Sequence, residues 1–188
     1  MWALIEDNEI KKIINQPKGL VIGDTRHSRN IFSFRWTNEE REAIGIYEVV
    51  LDNSNKKDEK YYTNTNQSLN FADGVATASF GSATAKALDD VTDEDDNVTL
   101  GLKTKHKETI KRQASGLLAP TDWYVIKATD VESYSVPSAV TTYRANVRTK
   151  SNDMETLIDN CSTVDELAAL YVYTDGSRPL GEFPTLEV

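Results

Sequence analysis

The sequence predicts an α+β protein, in which a β-rich N-terminal part with hairpins and one short helix precedes a helical C-terminal module. Three observations carry that prediction. Two turn signals, Asp7-Asn8 and Asp73-Gly74, each lie between short apolar or β-branched runs and suit the positive φ angles of a two-residue hairpin turn. Core-facing residues at helical spacing, Leu102, His106, Ile110, Ala114 and Leu117 and then Val140 to Cys161, mark the second half. Between the two patterns, residues 89–98 hold six acids and no base. The expected organisation is a β-rich domain over residues 1–88, an acidic linker over 89–98 and a helical module over 99–188.

Residues 2–5 and 10–14 form the first expected hairpin, and residues 20–23 a further short strand after Pro17 and Gly19. Thr37-Asn38-Glu39-Glu40 is a capping box, so a short helix should run to about residue 44, where Gly45 ends it. Residues 46–51 are rich in β-branched side chains and bounded by Asp52-Asn53-Ser54-Asn55, which predicts a strand. The hairpin around Asp73-Gly74 has little bulk beyond Phe71 and Phe80, and is expected as an exposed arm or a sheet edge.

In the second half, a helix is expected from about residue 98 to 118 with Leu102, His106, Ile110, Ala114 and Leu117 facing its core. Pro120 ends it, and Thr121 or Asp122 caps a short helix through Trp123 and Ile126. Pro137 opens a third helix over residues 138–160, with Val140, Tyr143, Val147, Met154, Leu157, Ile158 and Cys161 on its apolar side and Ser151-Asn152-Asp153 as a candidate kink. A second capping box, Thr163-Val164-Asp165-Glu166, starts a last helix to about residue 171.

Net charge is −9, yet residues 1–88 carry 11 bases against 12 acids and residues 99–188 carry 10 against 12. Neither half has the basic field that phosphate backbones require, so no nucleic-acid partner is expected. No run approaches a membrane span, and the first residues lack the basic and apolar regions of a signal peptide. A single cysteine, Cys161, excludes an internal disulfide and a cysteine-based zinc site.

No catalytic, metal or cofactor site is expected. Asp93, Asp95 and Asn97 have the spacing that opens a calcium loop, but Val98 stands where the turn needs glycine and Thr104 where a bidentate glutamate is needed. Residues 81–86 lack the glycine that precedes the lysine of a phosphate loop, and neither His27 nor His106 lies in a local signature with Cys161. Trp2, Trp36 and Trp123 are large enough to anchor a core or an interface, and Trp123, beside a turn, is the one expected to be partly exposed. Tyr143, Arg144 and Arg148 admit two readings. The tyrosine faces the core and the arginines pair with acids such as Asp122, or the arginines join Trp123 in a docking surface.

One set of residues carries a family likeness. Lys111-Arg112 through Leu117-Leu118, then Thr121-Asp122-Trp123, then Val136-Pro137 leading to Tyr143-Arg144 and Arg148, and finally Phe183-Pro184, together resemble the C-terminal module of tailed-bacteriophage tail fibre assembly and tail assembly chaperone proteins. The opening Met-Trp-Ala-Leu-Ile-Glu-Asp and the run from Trp36 that ends Gly45-Ile46-Tyr47-Glu48-Val49-Val50 are similar to small phage tail-associated proteins, many from marine phages. Two features depart from the pattern: residues 151–174 form an insertion with an extra capped helix, and Phe183 stands where tryptophan is usual.

The resemblance implies a non-enzymatic protein that acts as a chaperone in tail fibre assembly or as a tail-associated structural component. It would reside in the virion or, during assembly, in the host cytoplasm. Its partner would be a tail fibre or other tail protein, bound through Trp123, Tyr143, Arg144 and Arg148. The alternative reading is a virion-associated enzyme domain such as a hydrolase.

Overall fold

The computed structural model describes residues 1–186. The protein is α+β, with an N-terminal β-sheet and hairpins followed by a helical region. It divides into two compact units, the first spanning Met1–Thr84 and the second beginning at Ala85.

The first unit is built on a five-stranded mixed sheet in which the strands lie in the order β2 (Glu9–Ile14), β1 (Trp2–Glu6), β5 (Ile46–Asp52), β8 (Val75–Phe80) and β7 (Gln67–Ala72). Strands β1 (Trp2–Glu6) and β2 (Glu9–Ile14) form the expected hairpin, with Asp7 at φ 52° and Asn8 at φ 63°. Both central residues are left-handed, as a type I′ turn demands. A second hairpin, β3 (Leu20–Ile22) and β4 (Thr25–His27), turns through Gly23. Only its first strand carries an apolar run, so β4 has no sequence signal. A 3-10 turn, Arg29–Phe32, follows, and α1 (Asn38–Glu42) begins at the capping box, where Thr37 Oγ1 accepts from Glu40 N–H and Glu40 Oε2 from Thr37 N–H. Gly45 adopts φ 79°, and a Cβ there would lie 2.6 Å from the Ile5 carbonyl oxygen. Only glycine suits both the turn and the close approach.

Strand β5 (Ile46–Asp52) pairs antiparallel with β1; after the short β6 (Tyr62–Thr63) come β7 (Gln67–Ala72) and β8 (Val75–Phe80), with β8 parallel to β5. Asp73 and Gly74, at φ 52° and 77°, make the turn between them. Strand β7 is an edge, as anticipated, but β8 lies inside the sheet with Ala76 and Ala78 buried. Period-two alternation sorts the side chains onto two faces. Leu4, Ile14 and Ile46 join Leu20, Ile31 and Phe32 on one; Ala3, Ile5, Val49, Ala76 and Ala78 lie on the other, where Tyr47 meets Phe71 edge-on at 4.7 Å. Trp2 packs against Phe32 and Trp36 flanks the same cluster, so both serve the core.

The second unit opens, past β9 (Thr84–Ala85), with the acidic segment. Its two short strands, β10 (Val91–Thr92) and β11 (Val98–Thr99), pair as a hairpin where the sequence predicts a linker. Asp93 Oδ1 accepts from the backbone N–H groups of Asp95 and Asn97, which closes the turn. Helix α2 (Leu102–Leu118) therefore starts four residues later than expected. Its first-turn donors, Leu102 N–H and Lys103 N–H, bond to the carbonyls of Ala87 and Leu88, while Asp90 Oδ1 accepts from Gly101 N–H at 2.7 Å. Backbone carbonyls from the preceding loop thus satisfy donors that a helix start leaves open.

Helix α2 ends at Leu118 and passes through a 3-10 turn, Ala119–Thr121, into α3 (Asp122–Asp130). Helix α4 (Ser138–Asp159) runs back antiparallel to α2, with Lys107 paired to Asp159 and Lys111 to Glu155 along the seam. It runs unbroken through Ser151-Asn152-Asp153. Ser151 faces inward with its hydroxyl donating to Glu155 one turn on, and Asn152 and Asp153 face solvent. Helix α5 (Val164–Ala169) starts at the second capping box, with Thr163 and Glu166 exchanging bonds. Leu102, His106, Ile110 and Ala114 on α2 meet the burial expected of them, as do Val140, Tyr143, Val147, Met154 and Ile158 on α4. Leu157 is partly exposed, one position off the buried stripe. Among the described residues no helix is long and apolar enough to cross a membrane.

Candidate functional site

The four residues singled out from the sequence belong to one junction, where α2 ends, α3 begins and the first half of α4 passes. Beyond Pro120 the chain tightens into a 3-10 turn, where Asp122 N–H bonds to the Ala119 carbonyl instead of reaching back to Leu118, so the last carbonyls of α2 need other donors. Side chains of α4 supply replacements. Tyr143 Oη donates to the Leu117 carbonyl at 3.3 Å. Arg144 Nη1 donates to the Leu118 carbonyl at 3.1 Å and to Thr121 Oγ1 at 2.5 Å, and pairs with Asp122 Oδ1 at 2.7 Å. Thr121 in turn donates its hydroxyl to the Leu118 carbonyl at 2.7 Å.

This geometry separates the four residues. Tyr143 is buried and packs with Ala114 and Val147, flanked by Leu117, Leu118 and Phe183. The Arg144 side chain is only 12% exposed, with its guanidinium engaged by the turn. Arg148 lies one turn on, exposed, with Nη1 donating to the Arg144 carbonyl at 3.3 Å. Trp123 is half exposed and stacks on its neighbour Tyr124 at 3.8 Å between ring centres. Tyr143 and Arg144 therefore hold the junction together, while Arg148 and Trp123 are open to contact.

Between α2 and α4 the junction continues as a shallow groove of mixed charge, walled by Lys111, Asp122, Arg144, Arg148 and Glu155 with Ser115 and Asn152 among its polar lining. Lys111, Ser115 and Glu155 were not anticipated; only their place opposite one another on antiparallel helices brings them in. Also missed was the outward face of α3, where Val125 and Ile126 are exposed. The available signal was the spacing of Tyr124 and Ala128, the helix's two half-buried positions, which lie four apart and so turn Val125 and Ile126 away.

Other polar groups have local explanations. Cys161 is buried with its thiol donating to the Leu157 carbonyl, and burial pushes its pKa up, which disfavours the reactive thiolate. His106 is buried against the Tyr171 ring, 4.7 Å between centres. Hydrogen bonds from Asn97 hold Asp93 below the ordinary carboxylate range, and the bond from Gly101 N–H does the same for Asp90. Among the described residues no group of three or more His, Cys, Asp or Glu side chains is arranged to hold a metal ion.

Comparison of the chain with protein-family models, with curated proteins and with solved structures found no match in any of the three.

Proposed function

We propose that this protein is a non-enzymatic component of bacteriophage tail assembly, acting as a tail fibre assembly chaperone or as a tail-associated part of the virion. One observation supports the reading above others: several of the residues that carry the sequence likeness in the second half of the chain meet in one place. Leu117 and Leu118 present carbonyls, Thr121 and Asp122 form the turn, Tyr143 and Arg144 bind all four, and Phe183 packs on the same cluster. Residues scattered over the second half of the chain thus meet at a single corner, from which α3 leaves. In this reading Tyr143 and Arg144 position the corner, and Trp123 and Arg148 meet the partner, a tail fibre or other tail protein.

Co-expression with the tail fibre protein of the same phage tests the proposal. A chaperone raises the yield of soluble, assembled fibre and is absent from purified virions by mass spectrometry, whereas a structural component is found in them. A fibre that assembles equally well without this protein, together with its absence from virions, would reject both forms of the reading.

A further inference from the structure

Helix α3 is built inside out. None of its nine residues is buried. The positions nearest the body are Tyr124 and Ala128, one turn apart, whereas Trp123, Val125 and Ile126 are 50%, 42% and 60% exposed on the remaining arc. Val131, just beyond the helix, is exposed as well. A helix this short is marginal without tertiary packing, and one that turns its largest apolar groups outward has an unfilled contact face.

The charges around that face say what would cover it. Lys127 lies over the Tyr134 ring at 4.3 Å and 5.9 Å from the Trp123 ring, and Asp122 is held by Arg144. Asp130 and Glu132 have no ion pair among the described residues and sit at the helix C-terminus, where the helix dipole disfavours acids. Basic groups opposite them would relieve that repulsion. A second copy of this chain is a poor candidate, since residues 85–188 carry 11 bases against 18 acids and like charges would face each other. The exposed arc of one nine-residue helix is also far smaller than the roughly 800 Å² per partner that a stable flat interface buries, whereas a groove wraps a helix on several sides.

We infer that α3 is the docking element of this protein, seating Trp123, Val125 and Ile126 in an apolar groove of another protein whose rim is basic beside Asp130 and Glu132. The inference rests on the tail-assembly reading in taking the tail fibre protein as that partner.

The test is binding of the purified full-length chain to the purified fibre protein of the same phage by calorimetry. Ile126→Glu and Trp123→Ala should each weaken binding at least about tenfold, as truncation of interface anchors does. The double change Asp130→Lys with Glu132→Lys should also weaken it, while Val21→Lys, on the exposed side of β3, should leave it unchanged. All four variants alter exposed positions, and unchanged melting curves verify that they fold. Wild-type binding that survives all the α3 changes overturns the docking role of α3 and leaves the tail reading standing. Failure of the wild type to bind the fibre protein overturns the inference, while the tail-assembly reading is decided separately by the fibre-assembly and virion measurements. A dimer in sedimentation velocity that Ile126→Glu dissolves assigns the face to a second copy and overturns the inference.

Discussion

Arg144 on α4 closes the end of α2 by donating from Nη1 to the carbonyl of Leu118, 26 residues earlier in the chain, at 3.1 Å. The same nitrogen reaches Thr121 Oγ1 and Asp122 Oδ1. One guanidinium therefore serves a helix end, a turn and the first residue of the next helix, and this is what fixes the direction in which α3 leaves.

Arg144→Ala should cost about 1–3 kcal/mol, because the Thr121 hydroxyl oxygen and Asp122 lose their charged donor and the Leu118 carbonyl keeps only its bond from Thr121. Arg148→Ala removes an exposed side chain with one long bond and should stay within about 0.5 kcal/mol of wild type. Chemical denaturation followed by helical circular dichroism separates the two. Equal effects would mean that water replaces Arg144 at the turn.

Two glycines of the second unit should respond to alanine in opposite directions. At Gly101 a Cβ would collide with the backbone carbonyl of Asp89, which cannot swing aside as a side chain could. Gly101→Ala should cost about 1–3 kcal/mol, the usual range for forced overpacking. At Gly116, inside α2 and exposed, a Cβ meets nothing within 4 Å. Gly116→Ala should stabilise by about 0.5–1 kcal/mol through helix propensity alone. The order of the two melting temperatures relative to wild type checks both.

What could be read from the sequence was whatever a short stretch of chain decides for itself. The Asp7-Asn8 and Asp73-Gly74 turns and both capping boxes are local devices that formed as expected, and the α2 and α4 stripes are periodicities that formed except at Leu157, which is exposed, and Leu117, which is half-buried. Strand β4 is held by its pairing with β3, and the place of β8 inside the sheet by its parallel pairing with β5, neither of which leaves a trace in a single window of sequence. The acidic segment reads as a linker by composition, yet Asp90 and Asp93 spend their carboxylates on N–H groups and so fold it. At the junction, residue types suggested that Arg144 pairs with Asp122, but the bond to Leu118 depends on how α2 and α4 align and could not be foreseen.

The carboxylates of Asp90 and Asp93 make the acidic hairpin sensitive to acid. The bond from Gly101 N–H lowers the first and bonds from Asn97 lower the second, so in each case the folded state favours the ionised form. A depressed folded pKa gives stability that is fully present above the unfolded value of about 3.9 and is lost as pH falls through the lower folded value. Amide exchange at Gly101 and Asn97 should therefore be flat, after correction for its intrinsic pH dependence, from neutral pH to about pH 4, and protection should fall below that. Asp90→Ala should remove the protection of Gly101 at every pH. Because Asp93 Oδ1 already accepts bonds from Asp95, Asn97 and the Asn97 side chain, calcium and EDTA should leave the melting curve unchanged.

In the first unit, Arg41 is 9% exposed and makes three bonds: Nε to the Ile31 carbonyl at 2.8 Å, Nη1 to Asn38 Oδ1 at 2.8 Å and Nη2 to the Ser33 carbonyl at 2.9 Å. The planar fork of the guanidinium thus ties α1 to the segment that carries Ile31 and Phe32 into the core. A lysine ammonium is a point charge that cannot reproduce three divergent donors at these positions. Arg41→Ala should cost about 1.5–3 kcal/mol, the range for hydrogen bonds to a charged group, and Arg41→Lys should recover only part of it. Urea denaturation gives both values, with cores around Trp2 and Trp36 reporting by fluorescence in a Trp123→Phe background. Full recovery by lysine would show that charge, and not the fork, is what the carbonyls of Ile31 and Ser33 require.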